Sequence, residues 1–324
     1  MFTCYEAIEA GMISQALCDL SNGASEQIQL KGADGSIAVN PEALWVQLQD
    51  SIKSGYLIGA GSNTGSDTAF VNGIAQGHAY MLVRIFSDAA GTEKLVQLQN
   101  PHGHGEWQGD WSDESPKWTQ WWRATLPNPP IDDGKFWMSF QDFLSSYANV
   151  YVCRLLPVRM PITTEWRDHT AAGVSNPYHN PTFVVQAKAP CKVWIELEQQ
   201  NKRGRKKNTR KPGDEPGEGE LTEEQKRAIS ANGYAFIMFA VLDNGGRRVE
   251  KLTKENVKMC ANKWKMVNER QIGAELFIDQ PDTPLTIVAL NKHKGWETDF
   301  TMSVFAADES VTFRMLPEEP PTVK

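Results

Sequence analysis

The chain has 324 residues, 40% of them apolar and 23% charged, with a formal net charge of −7 at neutral pH. That is ordinary globular composition, and the length predicts two domains. The acidic balance argues against general affinity for nucleic acid or for anionic membranes, and no apolar run reaches the roughly 18 residues of a spanning helix. Five cysteines, at 4, 18, 153, 191 and 260, are odd in number and lack CxxC spacing. They suit free thiols in a reducing compartment, with no disulfide framework and no zinc. The opening MFTCYEAIEAG carries neither a basic nor an apolar export region, so the expected location is the cytoplasm.

In chain order, VNPEALWVQLQDSIKSG predicts a helix over 40–55. Asn40 is its cap, Pro41 sits in its first turn, Leu44, Leu48 and Ile52 recur every four residues, and Gly55 closes it. The stretch GHAYMLVRIFSDAAGTEKLVQLQNPHG (77–103) predicts two strands, 79–86 and 94–99, joined by turn residues. It sets His78 at the head of the first strand and Asn100 at the end of the second. In MSFQDFLSSYANV, Ser139 caps an amphipathic helix carrying Phe140, Phe143, Leu144 and Tyr147. From Thr182 to Met315 the runs are strand-like, and 191–198 alternates with Cys191, Val193, Ile195 and Leu197 on one face, which predicts a β-sandwich. Inside it, NKRGRKKNTRK (201–211) holds seven Lys or Arg and DEPGEGELTEEQ (214–225) six acids, a solvated charged loop within 200–230. The tail 318–324 should be loose.

Four motifs identify a family. QGHAY, LQNPHGHGEWQGDWSDESPKW and DDGKFWMSFQDFLSSY resemble, in order and spacing, the second half of the calpain protease core, and CYEAIEAG…LCDLSNG is similar to the segment that precedes the histidine there. EWRDHTAAGVSNPYHNPTFVV and the strands after it resemble the calpain C2-like domain. The resemblance implies an α+β fold: a papain-like β-barrel-type half-domain with flanking helices over 1–158, then an all-β C2-like sandwich over 159–317. It also implies that His78 and Asn100 are two members of a Cys/His/Asn triad. The chemistry explains the residue types. An imidazolium stabilises a neighbouring thiolate and then protonates the leaving amine, while an amide oxygen fixes the ring's tautomer and plane.

The calpain nucleophile lies in a Gly-Asp-Cys-Trp type motif of a separate subdomain, and no such motif occurs here. Cys4, followed by an aromatic residue, is superficially papain-like. It falls in the segment that aligns downstream of the nucleophile subdomain and is expected to be a packing thiol, as are the other four cysteines. The chain is therefore expected to be a half-site that depends on the missing nucleophile subdomain and is inactive alone.

The family also implies calcium, held in this half by Glu106, Asp113, the carbonyl of Ile131 and Asp133, hard oxygens of the kind Ca²⁺ takes. Where calpains usually place a further acid, this sequence has Lys135. An ammonium about 4 Å from the ion would oppose it by roughly 4 kcal/mol per unit charge at an effective dielectric near 20. Lys135 is expected to weaken or abolish the site, to point outward beside a weaker ion, or to pair with Glu106 and Asp133 and lock the loops without metal. A second departure is His102, in the place of a shielding tryptophan, which sets a second titratable ring beside His78. Trp107, Trp111, Trp118, Trp121, Trp122 and Trp137 are expected to pack under the Asn100 loop.

The leading expectation is thus one part of a calpain-like cysteine endopeptidase performing limited proteolysis of protein substrates in the cytosol. The competing one is a non-catalytic module that binds calcium, a protein partner or phospholipid through the C2-like domain, with the basic block 201–211 as the contact.

Overall fold

A computed structural model describes residues 11–126, 132–200 and 234–318. Cys4, Ile131, the charged blocks at 201–211 and 214–225, and residues 319–324 of the tail lie outside the described residues. The chain divides into two compact units, one spanning Gly11–Leu155 and the other beginning at Leu156.

In the first unit the elements are α1 (Ile13–Ser21), β1 (Ala24–Gln29), α2 (Pro41–Lys53), β2 (Leu57–Ser62), the short β3 (Phe70–Val71) and β4 (Ile74–Ala75), β5 (Ala79–Ser87), β6 (Lys94–Gln99), α3 (Gln120–Thr125), β7 (Lys135–Ser139), α4 (Phe140–Ser146) and β8 (Tyr147–Arg154). Six strands form one antiparallel sheet in the order β1-β8-β2-β5-β6-β7, with β1 and β7 as its edges. The sheet is therefore open among the described residues, where the sequence suggested a barrel-type half-domain. Helix α2 starts as its sequence predicts: Asn40 Oδ1 accepts the Ala43 N–H at 3.0 Å, and Pro41 occupies the first helical position. It buries Leu44, Trp45 and Leu48 against the sheet. Helix α4 is capped by Ser139, whose hydroxyl accepts the Asp142 N–H. It ends one residue earlier than its periodicity suggests, because Tyr147 turns to extended geometry and opens β8.

A second cluster of the first unit stacks Trp111, Trp118 and Trp137 on Leu95. Trp111 meets Trp118 edge-on at 5.1 Å and Trp122 at 4.8 Å. Trp121 departs from the expected packing role and is 58% exposed. Its helical neighbour Trp122 takes the inward position against Phe86 and Trp111, so Trp121, about 100° further round the helix, faces out.

The second unit contains β9 (Val158–Trp166), β10 (Thr182–Ala187), β11 (Cys191–Gln199), β12 (Ile237–Leu242), β13 (Val257–Cys260), β14 (Gln271–Ile278), β15 (Leu285–Asn291), β16 (Thr298–Ala306) and β17 (Val311–Met315). They form two antiparallel sheets, β13-β12-β15-β10-β17 and β14-β11-β16-β9. Both sheets contribute to one core, with Phe183, Phe239 and Ile287 from the first meeting Ile195, Phe300 and Met302 from the second. This is a β-sandwich. Cys191, Val193, Ile195 and Leu197 do face that core. No helix among the described residues is long and apolar enough to cross a membrane.

Candidate active site

The open end of the first unit's sheet positions an imidazole. His78 immediately precedes β5, and Ser62 at the end of β2 grips its main chain. The His78 N–H donates to Ser62 Oγ at 2.9 Å, and the His78 carbonyl accepts from Ser62 N at 3.0 Å and from Ser62 Oγ at 3.2 Å. The His78 ring rests edge-on against Tyr80 at 5.2 Å. Tyr80 is held in turn, because its hydroxyl accepts the Ala75 N–H at 2.9 Å. Burial pushes the Tyr80 hydroxyl above the usual phenol range, so it stays a neutral polar support.

Asn100, at the end of β6, is buried to 1% exposure and fully engaged. Its Nδ2 donates to the His104 carbonyl at 2.8 Å and to the Gly105 carbonyl at 3.3 Å, and its backbone N–H donates to the Gly134 carbonyl at 2.8 Å. These bonds fix which end of the amide is oxygen. Oδ1 accepts the His102 N–H at 3.1 Å and lies 3.0 Å from His78 Nε2. An amide oxygen only accepts, so Nε2 carries the hydrogen and Nδ1 is the nitrogen that can exchange a proton with a reacting group. Sequence reasoning found both residues and missed Ser62, which lies in a glycine-containing strand with no motif around it.

Gly134 is required where it stands. Its φ is +79°, and a Cβ there would come 2.9 Å from the Asn100 carbonyl oxygen. The His102 ring lies 4.5 Å from the His78 ring, tilted by 40°, and His104 follows 6.0 Å beyond it. A second imidazole thus covers one face of the first, where a shielding indole was the family expectation.

Next to this couple is the carboxylate group. Glu106 Oε1 accepts the Asp133 N–H at 3.0 Å and the Gly134 N–H at 2.8 Å. Burial, followed by the charge of Asp113 and a hydrogen bond that protonated Glu106 donates to its carboxylate, raises the Glu106 pKa to about 7. Asp133 has both oxygens occupied by one residue: Oδ1 accepts the Lys135 N–H at 2.9 Å and Oδ2 accepts Lys135 Nζ at 3.1 Å. Those bonds, the backbone one first, hold its carboxyl below the usual range. Asp132, not singled out from sequence, accepts the Gly105 N–H at 3.1 Å and adds its charge to the Glu106 environment. Glu106 and Asp113 therefore meet as expected, Asp133 is turned to Lys135, and Ile131 lies outside the described residues. Among the described residues, no three His, Cys, Asp or Glu side chains converge as a metal shell.

Cys153 stands apart from the ring by strand register. Cys153 pairs with Leu57, while Ser62, which grips His78, lies five residues along β2. At strand rise that is roughly 16 Å. Cys153 is fully buried, with its sulfur 3.4 Å from Ser21 Oγ. Cys18 lies in α1, and Cys191 and Cys260 belong to the second unit.

Residues 1–154 match the family described as calpain family cysteine protease. Over 314 residues the chain is 34% identical to the calpain-type cysteine protease DEK1 of Arabidopsis thaliana, covering 93% of this chain and 14% of that protein. It is 33% identical over 317 residues to DEK1 of Zea mays, with the same coverage. Against calpain-14 of Homo sapiens the identity is 26% over 337 residues, 93% of this chain and 44% of the relative. The chain thus spans less than half the length of these relatives. With the sequence motifs and the family match in agreement, the chain belongs to the calpain family of cysteine proteases.

Proposed function

We propose that this chain supplies the histidine and asparagine of a Cys/His/Asn endopeptidase site and takes its nucleophile from a separate subdomain that this sequence does not contain. The observation that carries the reading is the 3.0 Å approach of His78 Nε2 to an Asn100 oxygen whose orientation three further bonds fix. In the reaction, a cysteine S–H gives its proton to His78 Nδ1 and the thiolate attacks a peptide carbonyl. The imidazolium, steadied by Asn100, then protonates the departing amine. Water hydrolyses the resulting thioester with His78 as base. The substrates are proteins and the setting is the cytosol. No step runs through a metal.

Calcium is weak or lost in this half. Ca²⁺ needs six to eight oxygens. Of the four expected ligands, Glu106 and Asp113 offer a pair that a cation would relieve, while Asp133 is committed to Lys135. The donor set as it stands does not fit the ion.

The test is complementation. Mixed with the nucleophile-bearing half of a calpain-type relative, the purified chain should restore cleavage of a casein substrate. His78→Ala and Asn100→Ala should reduce that cleavage, by about 10³-fold or more for His78. Cleavage by the chain alone, or cleavage that survives His78→Ala, would refute the assignment.

A further inference from the structure

Three imidazoles stand in file beside the His78–Asn100 couple, and the protease chemistry uses one of them. Asn100 anchors all three residues. Its Oδ1 lies 3.0 Å from His78 Nε2 and accepts the His102 main-chain N–H at 3.1 Å, and its Nδ2 donates to the His104 carbonyl at 2.8 Å. The Gly103 N–H closes the turn between them by donating to the Asn100 carbonyl at 3.0 Å, with Gly103 at φ +74°. The His78 and His102 ring centres are 4.5 Å apart, and the His104 ring follows 6.0 Å from that of His102. His102 is exposed, and its ring makes no hydrogen bond or ion pair among the described residues.

Neutral imidazole offers one lone pair in the plane of its ring, a donor suited to zinc, copper and nickel ions. His78 is already prepared as such a donor. Histidine ligands characteristically give their second ring N–H to an oxygen, which fixes the tautomer and raises the basicity of the ligating nitrogen. The bond from Nε2–H to Asn100 Oδ1 does this and leaves the lone pair on Nδ1. The spacing fits as well. An ion about 2.0–2.1 Å from a ring nitrogen stands roughly 3.2 Å from that ring's centre, so two rings sharing it at roughly 90–109° have centres roughly 4.5–5.2 Å apart. The observed 4.5 Å lies in that range, and the exposed His102 ring has only to turn about its Cβ–Cγ bond to face a nitrogen to Nδ1. The surrounding charge also favours a cation. Asp132 accepts the Gly105 N–H and, with Asp113, acts on Glu106, while the Lys135 ammonium is paired with Asp133.

We propose that His78 and His102 form a two-nitrogen site for a divalent d-block ion of the zinc type, with water completing its shell. Two protein ligands make an open, reversible site, in keeping with the absence of three converging donors among the described residues. The site is distinct from any for calcium, which seeks oxygen. On binding, the ion exchanges two of its waters for the two lone pairs and no proton moves. Seated on Nδ1, it occupies the nitrogen that must accept the cysteine proton, and so holds the protease half switched off until it leaves. That inhibitory consequence rests on the protease assignment, whereas the binding does not. An indole in place of His102, the family expectation, has no lone pair to give. The site therefore belongs to this chain and not to the fold.

The experiment is titration of the full chain with zinc chloride in excess calcium chloride, followed through the histidine ring nitrogens by NMR. The His78 and His102 rings should shift together along one binding curve. His102→Trp should weaken the zinc-induced shift of His78 by at least about tenfold in Kd, because the chelate loses its second arm. The position is exposed, so the variant should melt as the native chain does. His104→Ala should bind zinc like the native chain. A His78 ring that zinc leaves unmoved, native affinity in His102→Trp, loss of binding in His104→Ala alone, or displacement of zinc by the calcium would each overturn the site. The inhibitory consequence is read in the mixture with the nucleophile-bearing half of a relative, on a peptide substrate lacking His and Cys. Halving cleavage there should take at least about tenfold more zinc in His102→Trp than in the native chain. Equal sensitivity would overturn that consequence by placing the ion on the thiol. A mixture with no cleavage would refute the protease assignment, and inhibition with it, while the titration still decides the site.

Discussion

Replacing Lys135 by glutamate should turn loops fastened by their own ammonium into loops that take calcium. Lys135 Nζ lies 3.1 Å from Asp133 Oδ2, with the two side chains 44% and 40% exposed. An ion pair this open contributes about 1 kcal/mol or less, so Lys135→Glu should fold with little loss of stability. Its effect on a cation is larger. At about 4 Å and an effective dielectric near 20, each unit charge is worth roughly 4 kcal/mol, and the substitution removes a positive charge and adds a negative one. Solvent screening of an exposed side chain discounts this severalfold, which leaves at least about 2.7 kcal/mol, a hundredfold in Kd. Lys135→Met, which removes the charge without adding an oxygen, should fall between. Calorimetric titration of the three proteins with calcium chloride measures the series directly. Micromolar binding by the unsubstituted chain, or equal affinity in all three, would show that Lys135 does not govern the site.

Two further outcomes concern the frame and the thiols. Gly134→Ala forces a Cβ to within 2.9 Å of the Asn100 carbonyl oxygen at φ +79°. It should cost about 1–3 kcal/mol in a denaturant melt and broaden the His78 imidazole resonance, since the same peptide receives the Asn100 N–H. Thiol reactivity should rise only at high pH. Burial, and for Cys191 also the charge of Asp308, pushes Cys191 up, and burial does the same to Cys260. Both therefore stay protonated and slow to alkylate through neutrality. Iodoacetamide labelling followed by mass spectrometry across pH checks this, and fast labelling of either thiol at pH near 6 would contradict it.

How much could be read from sequence depended on whether local chemistry was left to act alone. Asn40-Pro41 and Ser139…Asp142 cap their helices by short-range bonds, and both helices form where those signals stand. Strands β5 and β6 follow their apolar runs. Strand β2 was not legible because Gly59 and Gly61 dilute its pattern. Gly59 is there for α1, since a Cβ would fall 2.5 Å from Ile13 Cγ2, and that contact is invisible along the chain. Strand β9 carries Pro161, a residue that argues against an inner strand, and the structure resolves the conflict by placing β9 at a sheet edge beside β16. Within the site, the motifs gave His78, Asn100, Glu106 and Asp113, while Ser62 and Asp132 act through main-chain bonds that leave no signature in residue spacing.

Ser62 is where that hidden layer can be measured. Its hydroxyl both accepts the His78 N–H at 2.9 Å and donates to the His78 carbonyl at 3.2 Å, and Ser62 is only 6% exposed. Ser62→Ala leaves the Ser62 N–H bond to the same carbonyl intact, so the strand pairing should survive. The His78 N–H loses its acceptor in a half-buried place, which costs about 1–3 kcal/mol. If the hydroxyl merely stabilises the fold, the loss should appear in the melt alone. If it sets the ring, the His78 Nε2–H should also exchange faster with water and its nitrogen shifts should move toward a mixture of tautomers. Rescue by Ser62→Thr, which keeps the hydroxyl, should restore both readouts. An unchanged imidazole spectrum in Ser62→Ala would mean that Asn100 alone orients the ring.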